Sequence, residues 1–379
     1  MMLKDFRTQG YRSIKDVWLK LKPVNVIIGP NGCGKSNLYK AIYLISCAAS
    51  GQLTSALAHE GGTRSALWAG ARSKYEKGKP KISLSVRLED FEYNLELAPC
   101  GEDVRPGSFE DDPYIVSEKV FFTSKGSKHN LLDRRLMSVF VRNAQGKMVE
   151  YSGSVPINES VLSALKDPVN FPQLFILRDM FLSWRFYHDF RTDVDSPIRK
   201  PQVGFLTPSL SDNGHDLAAA LTTIREVGDQ DALLDTIEEA FPGACLGGYN
   251  ARGYFHLTMS FADNPERFYE AWELSDGTLQ FLCITAALLS SNPAPLIALN
   301  EPETSLNPGL MEPLAKLIVR ASKNSQIWLP THSRELADYI LDMSGYEELE
   351  LKKVNGETRL VGVGLGGDKY DDDDVEGED

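Results

Sequence analysis

The chain has 379 residues, 42% hydrophobic and 25% charged, with a formal net charge of −13. That supplies a sizeable core, and more chain than one core usually organises, so two lobes or a core with inserted subdomains are expected. No apolar run approaches the roughly 18 residues of a membrane helix. The opening MMLKDFRTQG is too polar for a signal peptide, so no membrane association is expected. The five cysteines (Cys33, Cys47, Cys100, Cys245, Cys283) are scattered and form no C-x-x-C pair. They read as free thiols in a reducing, cytoplasmic setting rather than a disulfide framework or zinc site. Eight acids and one lysine between Asp368 and Asp379 make an acidic tail of −7, leaving −6 for the rest. Such a body does not advertise a nucleic-acid binder, and the tail reads as disordered and solvating.

In chain order, VNVIIG (Val24 to Gly29) is a β-branched apolar run ending in glycine, the pattern of a buried strand. After it, Leu38, Ile42, Ile45 and Ala49 recur at helical spacing. From about 80 to 155 the period changes to two. Ile82, Leu84, Val86 and Leu88 share a face, and Asn-Ala-Gln-Gly at 143–146 is a plausible hairpin turn, so an antiparallel sheet is expected. Residues 156–245 hold helical stretches (DLAAALTTIREV, DALLDTIEEAF), and WRFYHDFRTD alternates like a strand with one buried face. From 271 onward, helix and strand alternate, which implies parallel strands. EELELKKV and TRLVGVGL read as a closing strand pair. The expected organisation is 1–155, a first lobe with an antiparallel β subdomain; 156–270, a helical or lid insert; 271–366, a second lobe; and 367–379, the acidic tail.

Four segments carry chemistry. Gly29-Pro-Asn-Gly-Cys-Gly34-Lys35-Ser36 is a complete G-x-x-x-x-G-K-[ST] loop between a strand and a helix. Its glycines let backbone N–H groups curl toward phosphate oxygens at a positive helix end. Lys35 would reach the β- and γ-phosphates, and Ser36 would ligate Mg²⁺. Leu274-Ser275-Asp276-Gly277-Thr278 heads an apolar helix; alone it is an ordinary N-cap, but it precedes an acid-ended strand by about twenty residues. That strand, Leu296-Ile-Ala-Leu-Asn300-Glu301-Pro-Glu303, places carboxylates at the C-terminal edge of a sheet, where Glu301 suits a general base. His332, in Leu329-Pro-Thr-His332-Ser333, stands where a γ-phosphate sensor belongs, although a lone histidine at a strand end is often structural.

In this order the segments resemble the ABC/SMC-like ATPases, most closely the RecF- and OLD-like branch, over roughly 1–50 and 270–345. The resemblance implies an α/β P-loop ATPase head: a mostly parallel core sheet, an antiparallel β subdomain and a helical insert. It implies ATP and Mg²⁺ as ligands, with Gly29, Pro30, Asn31, Gly32, Cys33, Gly34, Lys35, Ser36 and Asn37 around the nucleotide. Arg12 of YRSIKD resembles the N-terminal basic residue that approaches it. Ser275, Asp276 and Gly277 match the signature that acts across a homodimer, with Asp276 where transporter-type ATPases have glycine. Asn300 and Glu301 match the Walker B pair, with Asn300 toward the metal in place of the usual aspartate. Ser305 to Asn307 match the D-loop. Catalytic roles fall on Glu301, Lys35 and His332. No Q-loop glutamine is fixed; Gln173 and Gln202 are candidates.

Ser36 and Leu274 are 238 positions apart without heptads, so no long coiled-coil arms are expected. The sequence runs only briefly past His332, so an effector such as a nuclease or Toprim-like protein is expected as a separate polypeptide. The leading expectation is an ATPase, slowed by Asn300, that forms a nucleotide-sandwiched homodimer, a higher oligomer staying open, and controls that partner in anti-phage defence or DNA maintenance. The alternatives are a non-hydrolysing ATP-dependent scaffold or sensor and a RecF-like repair ATPase. The latter would bind DNA through Lys74 to Lys81 or Phe121 to Arg135.

Overall fold

The computed structural model describes residues 2–70, 79–101 and 109–362. The acidic tail and most of the basic segment Lys74 to Lys81 lie outside them. The chain divides into two compact units, one of Met1–Lys22, Gly29–Trp184 and Leu349–Asp379, the other of Pro23–Ile28 and Arg185–Glu348.

The first unit is built on an eight-stranded sheet in the order Ile14–Lys20, Leu3–Tyr11, Ile82–Leu88, Phe91–Pro99, Pro113–Ser124, Ser127–Arg135, Ser138–Arg142, Met148–Glu150, antiparallel throughout. The period-two pattern is physical: Ile82, Leu84, Val86 and Leu88 are buried, as are Tyr93, Leu95 and Leu97 on the neighbouring strand. The helix Lys35–Ser50 lies against this sheet and buries Leu38, Ile42, Ile45 and Ala49. Asn143 closes the expected turn, its backbone N–H donating to Lys147 O at 2.9 Å while Gly146 N–H donates back to Asn143 O. A fully buried polar knot sits beneath. Glu118 accepts from Tyr93 Oη at 2.9 Å and from Val161 N–H at 2.9 Å, and Arg134 Nη1 lies 3.9 Å away. Burial drives the Glu118 carboxyl above its ordinary range despite these donors.

The second unit holds four parallel strands in the order Arg185–Tyr187, Leu296–Leu299, Gln326–Pro330, Val24–Ile28. The last three are buried along their whole length, as expected where helices cover both faces of a parallel sheet. Helices Leu217–Val227, Gln230–Ala240, Asp276–Leu288, Met311–Ala321 and Arg334–Ser344 share one core with the sheet face that carries Val24, Val26, Ile297, Leu299, Ile327 and Leu329. Every residue from Thr278 to Leu288 is buried, which explains that helix's unbroken apolar sequence.

Two expectations change in detail. WRFYHDFRTD is a strand only at Arg185–Tyr187, paired in parallel with Leu296–Leu299. The segment 245–270 is not helical. Strands Cys245–Ala251, Tyr254–Phe261 and Asn264–Glu270 form an antiparallel sheet with Gln202–Val203. Among the described residues no helix is long and apolar enough to cross a membrane.

Candidate nucleotide site

The phosphate loop belongs to the first unit. Gly29, Gly32 and Gly34 have φ of 149°, 74° and 116°, backbone that side-chain-bearing residues rarely adopt. Two are also crowded. A Cβ on Gly34 would stand 2.2 Å from Thr358 Oγ1, and one on Gly29 would stand 2.4 Å from the Leu351 carbonyl oxygen. Both neighbours come from the closing hairpin Leu349–Val354 and Glu357–Leu360, which forms a floor under the loop. Thr358 Oγ1 donates to Cys33 O at 2.6 Å and lies 2.7 Å from Ser13 Oγ, to which Asn37 Nδ2 donates at 2.7 Å. Lys35 is buried, with its ammonium turned onto its own loop: Nζ donates to Gly29 O at 2.6 Å and more weakly to Pro30 O. Pro30, Asn31, Gly32 and Ser36 are exposed, so the upper face of the loop is open.

Arg12 is paired with Glu60. With φ of 50° at the turn after Leu3–Tyr11, its Nε donates to Glu60 Oε2 at 2.8 Å. Tyr11 Oη donates to the same carboxylate. Burial and this carboxylate together push the Tyr11 phenol far up, so it stays a donor.

The remaining motif residues lie in the second unit. Asn300 and Glu301 follow the strand Leu296–Leu299; the Asn300 N–H donates to Tyr187 O at 3.0 Å and the Glu301 N–H to Pro330 O at 2.9 Å. Glu301 has φ of 48° and Ser305 a φ of 67°; such conformations in residues other than glycine are costly and collect at functional sites. Glu301 Oε1 lies 2.6 Å from His332 Nε2, so the residues proposed as base and sensor are in direct contact. Asn300 Oδ1 is a buried acceptor without a hydrogen-bond partner, which suits an oxygen meant to receive a metal-bound water. Among the described residues no group of three or more His, Cys, Asp or Glu could hold a metal. A magnesium ion bound through phosphates, waters and one or two protein oxygens needs no such cage. The Asn300 amide oxygen is of the kind that would hold it through a bound water, and the ion would neutralise phosphate charge.

Ser275 caps the helix Asp276–Leu288 by accepting from Thr278 N–H at 3.1 Å. Gly277 is required by contact, because a Cβ there would meet Ser305 O at 2.8 Å. Asp276 is not a free carboxylate at this helix end. Arg199 Nη2 donates to it at 2.5 Å, while Nη1 donates to Leu274 O at 2.7 Å and Ala271 O at 3.2 Å. The buried Arg199 guanidinium thus fixes the approach to the signature.

Sequence reasoning did not find that Thr358 and Glu60 hold the phosphate loop and Arg12 in the first unit, or that Arg199 and Glu303 hold the signature helix and the 331–333 loop in the second. Only Glu303 carried a local signal, as a second acid two places after Glu301. Gln202 Oε1 is occupied with Ala218 N–H at 2.8 Å, and Gln173 lies in the helix Pro172–Ser183 of the first unit. The basic segment Phe121 to Arg135 is partly spent internally. Arg134 is buried, and Lys128 pairs with Glu92 at 2.6 Å and covers the Phe121 ring.

A glycine-rich phosphate loop that follows the parallel strand Val24–Ile28 and opens a helix is the mark of a P-loop nucleotide-binding domain. The chain belongs to the family described as "AAA domain, putative AbiEii toxin, Type IV TA system", matched over residues 24–338. Its fold matches SMC heads. The SMC head domain from Thermotoga maritima aligns with TM-score 0.50 and 16% identity, over 96% of this chain and 100% of that one. An SMC head bound to the C-winged helix domain of ScpA aligns with TM-score 0.50 and 15% identity, over 97% and 99%. A Pyrococcus furiosus SMC head with an extended coiled coil, bound to the C-terminal domain of ScpA, gives TM-score 0.50 and 13% identity, over 95% and 96%. No curated protein matches the chain.

Proposed function

We propose that the chain binds ATP with Mg²⁺ through Lys35 and Ser36, hydrolyses it with Glu301 as the general base, and associates into a homodimer when ATP is bound. The observation that carries the reading is the 2.6 Å contact between Glu301 and His332 at the ends of adjacent parallel strands. A carboxylate so held can accept a proton from water, and the imidazole is placed to follow the charge of a leaving phosphate. Ser275 and Gly277 would meet the γ-phosphate of the partner's nucleotide. We place the protein in the RecF/OLD-like branch, controlling a separately encoded effector in anti-phage defence. The family's description, with its words "putative AbiEii toxin, Type IV TA system", supports a defence role. The ScpA-bound heads support the use of such a fold to engage a protein partner.

The test is phosphate release and sedimentation of wild type, Lys35→Ala and Glu301→Gln. Lys35→Ala should lose ATP binding. Glu301→Gln should keep ATP binding, lose turnover and accumulate as an ATP-dependent dimer. Phosphate release unaltered in both variants would sink the assignment. The uncharged Asn300 favours a second reading, an ATP-holding scaffold with no turnover, which wild-type phosphate release sensitive to Lys35→Ala excludes.

A further inference from the structure

Glu303 stands two residues beyond Glu301, and its carboxylate is engaged from one side only. Oε1 accepts three hydrogen bonds from consecutive residues of the loop after strand Gln326–Pro330: Thr331 Oγ1 at 2.6 Å, His332 N–H at 2.7 Å and Ser333 N–H at 3.1 Å. Oε2 is buried with no hydrogen-bond partner. The helix that follows, Arg334–Ser344, already has its own cap, since Ser333 Oγ accepts from Leu336 N–H at 3.1 Å. Three donors are therefore gathered on one oxygen at the residue whose imidazole touches Glu301, although capping the helix does not require them. Two residues further on, Ser305 places its carbonyl against Gly277 of the signature helix. The stretch Asn300 to Ser305 thus touches the switch loop through Glu303 and the signature through Ser305.

We propose that Glu303 is the positioning residue of the catalytic pair: it holds the 331–333 loop so that His332 stays on Glu301, and it transmits displacement of Ser305 to that contact. This rests on the reading of Glu301 and His332 as hydrolytic residues. The backbone N–H of His332 is fixed by the same oxygen that fixes its two neighbours, so loss of that acceptor frees the loop as a unit. The required property is an acceptor oxygen at that point. Its charge is secondary, so glutamine should substitute and alanine should not.

The experiment compares Glu303→Gln and Glu303→Ala in the full chain. Turnover is read as kcat and KM for ATP, and the His332 imidazole is followed by NMR of the nucleotide-free, histidine-labelled protein. Glu303→Ala should lower kcat by about tenfold to a hundredfold with KM little changed, as loss of positioning does, and should move the His332 resonances. Glu303→Gln should keep both close to wild type. Equal damage from glutamine and alanine would overturn the proposal, as would an alanine variant with wild-type kcat and unmoved resonances. Wild type without turnover would defeat the hydrolytic reading instead, and the NMR comparison would still decide whether Glu303 positions His332. If the alanine variant does not fold, Thr331→Val removes one of the three donors. It should move the same resonances, and their constancy would count against the proposal.

Discussion

Replacing Thr358 by valine tests whether the closing hairpin organises the phosphate loop. The substitution keeps the side-chain shape and deletes one hydroxyl. That hydroxyl, fully buried, gives the Cys33 carbonyl its 2.6 Å hydrogen bond and lies 2.7 Å from Ser13, which in turn receives Asn37 from the first turn of the loop's helix. Stranding a buried carbonyl costs about 1–3 kcal/mol. The loss falls on the loop rather than on the sheet, because Thr358 N–H still donates to Ser13 O at 2.8 Å. At about 1.4 kcal/mol per tenfold, ATP affinity should drop roughly fivefold to a hundredfold. Equilibrium titration with a fluorescent ATP analogue measures this, with thermal unfolding as a control for the fold. Thr358→Ser keeps the hydroxyl and should bind close to wild type. A valine variant that binds ATP as wild type does, or a serine variant as weak as valine, refutes the argument.

Arg199→Lys removes the fork that spans Leu274 O and Asp276, so ATP-dependent dimerisation in a Glu301→Gln background should weaken by about tenfold while ATP binding to the monomer is kept; analytical ultracentrifugation measures both. Gly277→Ala gains about 1 kcal/mol of helix propensity yet forces a Cβ to within 2.8 Å of Ser305 O, so melting should change little and dimerisation should fail. Glu118 gives a pH prediction. Its pKa is raised by burial, so its contribution to stability is fully present below the ordinary 4.5 and is lost as pH rises through the raised value. Across that interval wild type should lose stability relative to Glu118→Gln, whose curve lacks this fall; denaturant melts at stepped pH check it.

The parts legible in the sequence were those whose signal is local. The strand before Gly29, the helix after it and the alternation from Leu296 to Ser344 depend on apolar spacing and caps within a few residues. The sheet at 245–270 gave no such signal, because Cys245–Ala251 is glycine-bearing and half exposed, Asn264–Glu270 is mostly charged or polar, and Tyr254–Phe261 holds the pair together through cross-strand contacts. Arg199, in SPIRKP, looks like a solvated cation until residues more than seventy positions later supply its acceptors. Thr358 reaches the phosphate loop from 325 positions away. The pairing of Arg12 with Glu60 is likewise a contact that spacing does not encode.

The strand Val24–Ile28 belongs to a sheet whose neighbouring strand, Gln326–Pro330, is translated long after it; the two are joined by Asn25 Nδ2 donating to Ile327 O across 302 positions. At about 5–20 residues per second, the ribosome leaves this five-residue apolar strand without its partner for roughly 15–60 s. Short β-rich segments of this kind are the ones that recruit wrong partners while they wait. The nascent chain therefore carries an aggregation hazard at Val24–Ile28 until Gln326–Pro330 emerges. Fragments cut anywhere before residue 330 inherit that hazard permanently.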